Sequence, residues 1–127
     1  MEDLQIQPTK KTPLIDFYTS GKLILAGSVY PENSKEFFEP VIDWIRELEA
    51  HEVDFDMIVE YMNTSAAKKI WELLKSLQAN KKVSSIKINW FYQEWDDDIL
   101  ETGKILADSL PDIGFNFVVY EDNRKKD

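Results

Sequence analysis

The chain has 127 residues, 43% of them hydrophobic and 13% aromatic, with four Trp and no Cys. This is the length of one domain, with ample apolar material for a packed core, and it excludes disulfides, thiol catalysis and thiolate metal sites. With 24 Asp and Glu against 15 Lys and Arg the formal charge is −9, so the surface repels nucleic-acid phosphates and anionic lipid and suits a partner with a basic face.

Residues 1–11 are polar and mixed in charge, unlike a signal peptide, and no stretch approaches the roughly 20 apolar residues that a membrane helix needs. Cytoplasm is the expected location, without membrane insertion. Residues 14–18 and 23–28 are short apolar runs on either side of Thr19, Ser20, Gly21 and Lys22, which supply the turn of a β-hairpin. Next, Asn33 or Ser34 caps a helix, with Glu36 as capping-box partner. Its apolar residues Phe37, Val41, Ile42, Ile45 and Leu48 keep helical spacing to about Ala50, while Pro40 removes a backbone donor and predicts a kink or an irregular first turn.

Residues 53–62 alternate, with Val53, Phe55, Met57, Val59 and Tyr61 on one face. Asn63, Thr64 and Ser65 then lead with almost no loop into a second helix, whose stripe is Ala67, Ile70, Trp71, Leu74 and Leu77, ending near Asn80. Residues 86–92 alternate again, and Asp96, Asp97 and Asp98 open a third helix with Ile99, Leu106 and Leu110 inward. Pro111 and Gly114 end it, residues 115–120 read as a last strand, and 121–127 as a charged tail. The pattern predicts an α/β fold: a mixed, mainly parallel sheet of about five strands, with an N-terminal hairpin and three main helices. We divide it into an arm (1–11), one domain (12–120) and the tail. In such a sheet the loops after the strands share one edge, which brings residues 28–33, 63–65 and 93–98 toward one another.

That edge holds the candidate functional residues. Asn63, Thr64 and Ser65 all have oxygens that cap helices. A phosphate on Thr64 or Ser65 would also sit at the positive end of the helix, adding about −2 charge to a docking face. Glu94 with Asp96, Asp97 and Asp98 suggests Mg²⁺ and a metal-assisted hydrolase. Acidic residues favour a helix start without any ion, however, and three consecutive Asp diverge, so no metal is assigned. His51 is the only histidine, in a charged segment without relay partners, and no Gly-rich phosphate loop exists. These residues give no basis for an enzyme and imply no cofactor. The four Trp read mostly as core, apart from Trp95, which together with Tyr30 is a candidate aromatic anchor at the edge.

Thr12-Pro13, the run Ser28-Val29-Tyr30-Pro31-Glu32-Asn33 with Phe37 and Pro40, Glu60-Tyr61-Met62-Asn63-Thr64-Ser65, and Asn89-Trp90-Phe91-Tyr92 through Asp96-Asp97-Asp98 together resemble the SiaC family of bacterial regulatory phosphoproteins. The likeness runs from about Thr12 to Tyr120. It implies a domain similar to SpoIIAA or STAS anti-sigma-factor antagonists, phosphorylated on the threonine where strand meets helix; Thr64 is the residue that matches. It further implies a SiaB-like protein kinase, a SiaA-like PP2C-type phosphatase, and an unphosphorylated form that binds and activates a SiaD-like diguanylate cyclase, with cyclic di-GMP and biofilm behaviour as output. The sequence departs from the family pattern at Ala66 and Ile99, and Ser65 remains an alternative phosphosite. Around the switch, Tyr30, Glu32, Asn33, Asn63, Ser65, Trp95, Asp96, Asp97 and Asp98 are the expected partner-binding surface. An anti-sigma-factor antagonist or a small-ligand sensor are the alternative functions.

Overall fold

A computed structural model describes residues 1–121; beyond Glu121 the expected tail lies outside the described residues. The order is β1 (Leu4–Ile6), β2 (Leu14–Phe17), β3 (Lys22–Val29), α1 (Ser34–Glu47), β4 (Glu52–Met62), α2 (Thr64–Ala79), β5 (Ser85–Gln93), α3 (Asp97–Ser109) and β6 (Gly114–Tyr120). The sheet is mixed and mainly parallel, with one strand more than expected. That strand, β1, lies within residues 1–11 and pairs antiparallel with β2. Three residues are too few to show an alternation, and tertiary contacts hold them: the Trp44 indole N–H donates to the Glu2 carbonyl at 2.8 Å, and the Asp3 carboxylate accepts from the Thr19 amide at 2.8 Å.

The six strands lie side by side in sequence order, antiparallel from β1 to β3 and parallel from β3 to β6. Right-handed crossovers between successive neighbours put every connecting helix on the same face. Burial agrees. In β4, Val53, Phe55, Met57 and Val59 are buried, whereas Asp54, Asp56, Ile58 and Glu60 opposite them are half-buried. Among the described residues the fold has two layers, and no helix covers the other face of the sheet.

The core lies between the layers. Phe17, Leu23, Leu25, Phe55, Met57 and Trp90 of the sheet meet Phe38, Val41 and Ile45 of α1 and Ile70, Leu73, Leu74 and Leu77 of α2. Each helix begins with the same device, a side-chain oxygen accepting the amide three residues on. Asn33 accepts from Glu36 at 3.0 Å, Asn63 from Ala66 at 2.9 Å and Asp96 from Ile99 at 3.1 Å. The first helix runs through Pro40 and ends at Glu47, before the expected Ala50, where Leu48 turns extended.

On the open face a polar ladder crosses four strands. The Lys22 ammonium bonds Asp56 at 2.9 Å and Asp54 at 3.3 Å. The Asn89 amide donates to both carboxylates, and Asn116 donates to Asn89. Burial alone would lower the Lys22 pKa, but the bonds to Asp56 and Asp54 outweigh it and hold it above its ordinary value.

Trp90 is fully buried, and its indole N–H donates at 2.9 Å to the carbonyl of Ile99 within α3. This approach is open because residue 103 has no side chain: a Cβ there would lie 2.5 Å from the indole nitrogen. We expect Gly103→Ala to destabilise the domain by about 1–3 kcal/mol through overpacking. Gly114→Ala, where the added methyl meets the Ile86 carbonyl at 3.6 Å, is expected to change stability by roughly 0.5 kcal/mol or less. Urea denaturation of the two variants checks the contrast.

Candidate functional site

The end of β4 sets the geometry. Its ladder with β3 steps from Gly27–Val59 to Ser28–Tyr61, so Glu60 is an extra residue. Gly27 has φ 122°, a backbone that side-chain-bearing residues rarely adopt. The insertion inverts the strand's inward–outward phase. Tyr61, expected on the buried face, is consequently 55% exposed, and Met62 turns toward the core instead. Tyr61 stacks edge-on against Tyr30, centroids 5.4 Å apart, which sets the Tyr30 ring beside the end of β4.

After Met62 the chain turns directly into α2, and the three cap-competent residues separate into distinct roles. Asn63 is the cap. The Ser65 hydroxyl donates to the Asn63 side chain at 3.2 Å and shares a 2.9 Å hydrogen bond with the hydroxyl of Ser34, a buried residue at the start of α1. The starts of α1 and α2 are thereby joined, which brings Asn33 and Asn63 into one neighbourhood. The Thr64 side chain is exposed, and its hydroxyl makes no hydrogen bond among the described residues. Sequence could not distinguish these three oxygens, since each residue type caps helices.

Thr64 also stands at the rim of a groove. While α1 packs against α2, few contacts join α2 to α3, and between them lies an apolar depression of about 500 Å³. Met62 and Leu106 contribute from the core side, Ala67, Lys68 and Trp71 from α2, and Thr102, Ile105 and Ser109 from α3. Trp71 was expected in the core from its spacing. It is 39% exposed, with the Lys75 ammonium 5.7 Å from its ring centroid, because α3 does not close over it. Ile105 is 61% exposed. Trp71, Ile105 and Lys68 line this groove, and sequence reading did not single them out for it. An isoleucine exposed in an otherwise amphipathic helix was the available signal.

The remaining expected residues do not line the groove. Glu32 is exposed and pairs with Lys11 at 3.0 Å. Asp96 is occupied as the cap of α3, Asp97 and Asp98 are exposed in its first turn, and no group of three or more His, Asp or Glu converges among the described residues. Trp95 is 67% exposed, its indole N–H donating to Gln93 at 3.3 Å. His51 is exposed, with Ser84 3.0 Å from its ring nitrogen. No described helix is long and apolar enough to cross a membrane.

The profile of the SiaC family regulatory phosphoprotein matches residues 6–120. The chain belongs to the SiaC family. It is 31% identical over 124 residues to an uncharacterized protein of Pseudomonas aeruginosa strain UCBPP-PA14, covering 94% of this chain and 96% of that one. The fold matches the crystal structure of apo-SiaC from Pseudomonas aeruginosa, with TM-score 0.78 and 29% identity, over 94% of this chain and all of the other. It also matches a chain in the crystal structure of diguanylate cyclase SiaD in complex with its activator SiaC from the same organism, with TM-score 0.79 and 28% identity, over 93% and 100% of the two chains.

Within this SiaC-family domain the cap and its neighbour have separable roles. Asn63→Ala is expected to cost about 1–2 kcal/mol, because it removes the α2 cap and a partner of Ser65. Thr64→Ala, which breaks no hydrogen bond among the described residues, is expected to stay within about 0.5 kcal/mol of wild type. Thermal and chemical denaturation measured side by side decide between them.

Proposed function

We propose that this chain is a phosphorylation-controlled regulator whose unphosphorylated form docks a diguanylate cyclase at the α2–α3 groove and activates it, and that phosphorylation of Thr64 releases the cyclase. One observation carries the reading: Thr64 is exposed at the rim of the apolar groove, its hydroxyl unengaged among the described residues. A kinase reaches such a hydroxyl without unfolding anything. Ser65 is less suited, since its phosphorylation would disrupt the hydrogen bond to the buried Ser34.

The groove supplies the binding energy. Trp71 and Ile105 are large apolar side chains left in water, the kind that anchor interfaces when covered. A relative of the same family activates a diguanylate cyclase, which identifies the class of partner. On this reading Tyr30, Tyr61, Asn63 and Ser65 meet the partner beside the switch, and Glu32, Asn33, Trp95, Asp96, Asp97 and Asp98 are assigned to the outer part of the same interface. A SiaB-like kinase and a SiaA-like PP2C-type phosphatase would set the phosphate level, the site of action being the cytoplasm. The chain itself catalyses nothing.

The test uses the purified chain with the diguanylate cyclase of its own organism, reading affinity and cyclic di-GMP production together. Wild type and Thr64→Ala should bind and stimulate. Protein phosphorylated at Thr64 should lose roughly tenfold or more in affinity, and Trp71→Ala or Ile105→Glu a comparable amount, the equivalent of about 1.4 kcal/mol. Full stimulation by the phosphorylated protein would refute the switch, and wild-type affinity in both groove variants would refute the docking face.

A further inference from the structure

Among the described residues, Lys68 is the one ionisable side chain that lines the groove. It stands one helical turn beyond Thr64, at the i,i+4 spacing that sets two side chains on one helix face. Its neighbour Lys69 is committed elsewhere, paired with Glu72 at 2.9 Å in the cleft between α1 and α2. Lys68 is exposed and has no ion pair among the described residues. The wall from α3 offers it hydroxyls and apolar surface but no carboxylate, and Met62 and Asn63 carry no charge. A cation thus sits on an apolar groove with no counter-charge within it.

Resting on the reading of Thr64 as the phosphorylated residue, we propose that Lys68 receives that phosphate and that the resulting ion pair bars the groove. An acidic group at i with a basic group at i+4 is the favourable orientation along a helix. Phosphate oxygens form short, charge-assisted hydrogen bonds with an ammonium. To reach them the methylene stem of Lys68 must lie along the groove's mouth, covering apolar surface there. The phosphate then does more than repel a partner, because it recruits a side chain of this chain as a lid.

The experiment prepares the full chain with phosphothreonine at position 64 and follows its ³¹P resonance through pH in wild type, Lys68→Gln and Lys68→Arg. A nearby ammonium favours the dianion, so the second ionisation, ordinarily near pH 6, should be lower in wild type. Lys68→Gln should raise it by about half a pH unit and Lys68→Arg restore it, the difference shrinking in 1 M salt. A midpoint unmoved by Lys68→Gln overturns the pairing. The bar is read separately, as the ratio of cyclase affinities without and with the phosphate. That ratio should fall roughly threefold in Lys68→Gln, and an unchanged ratio overturns the bar. If wild-type phosphoprotein keeps full cyclase affinity, the proposed function fails, whereas the ³¹P titration still decides the pairing. The unphosphorylated variants should melt at the wild-type temperature, which separates these effects from misfolding.

Discussion

The extra residue at Glu60 inverts the phase of β4 just before α2 begins, and the placement of everything around Thr64 depends on that inversion. Without it, strict alternation would carry Tyr61 into the core and turn Met62 outward. With it, Met62 becomes part of the groove, Tyr61 joins Tyr30 on the surface, and the backbone enters α2 with Asn63 placed to cap. The consecutive strand order makes this local device consequential. Because all three helices cover one face, the starts of α1 and α2 emerge side by side at one edge, close enough for Ser34 and Ser65 to share a hydrogen bond.

The groove has a second cause at the far side of the sheet. Trp90 reaches up from β5 to the Ile99 carbonyl, and Gly103 leaves the space for it. This fixes the first half of α3 over β5. Since few contacts join α3 to α2, its position is set from below by the sheet and not from the side by a neighbouring helix. A helix held this way leaves its flank open. Ile105 and Trp71 stay exposed because the layer is incomplete between α2 and α3, although both lie on helices whose other large apolar residues are buried or half-buried.

The sequence carried what depends on local periodicity. Strands β4 and β5, helices α2 and α3, a cap at Asn33 or Ser34, the acidic start of α3 and the mainly parallel order were legible from period-two and period-3.6 patterns and cap chemistry. Three kinds of feature were not. β1 is too short for a pattern. Tyr61 and Trp71 obey the period of their elements but are exposed by a bulge and by an absent neighbour, both of which are tertiary facts. Among Asn63, Thr64 and Ser65, side-chain chemistry left all three equivalent, and only the geometry shows Asn63 and Ser65 engaged and the Thr64 hydroxyl without a hydrogen bond among the described residues.

That freedom bears on the sign of the proposed regulation. A phosphate on the first residue of α2 meets the positive end of the helix and stabilises the free domain by about 0.3–1 kcal/mol. It therefore does not work by unfolding its own support. A partner seated in the groove, by contrast, covers the rim on which Thr64 stands, and would have to bury the dianion, bare or paired with Lys68, against apolar surface at a cost of several kcal/mol. The second quantity exceeds the first severalfold. Phosphorylation at this position would thus be compatible with the fold and unfavourable to an apolar occupant, which is what the proposed release switch requires, without any change of conformation in the sheet.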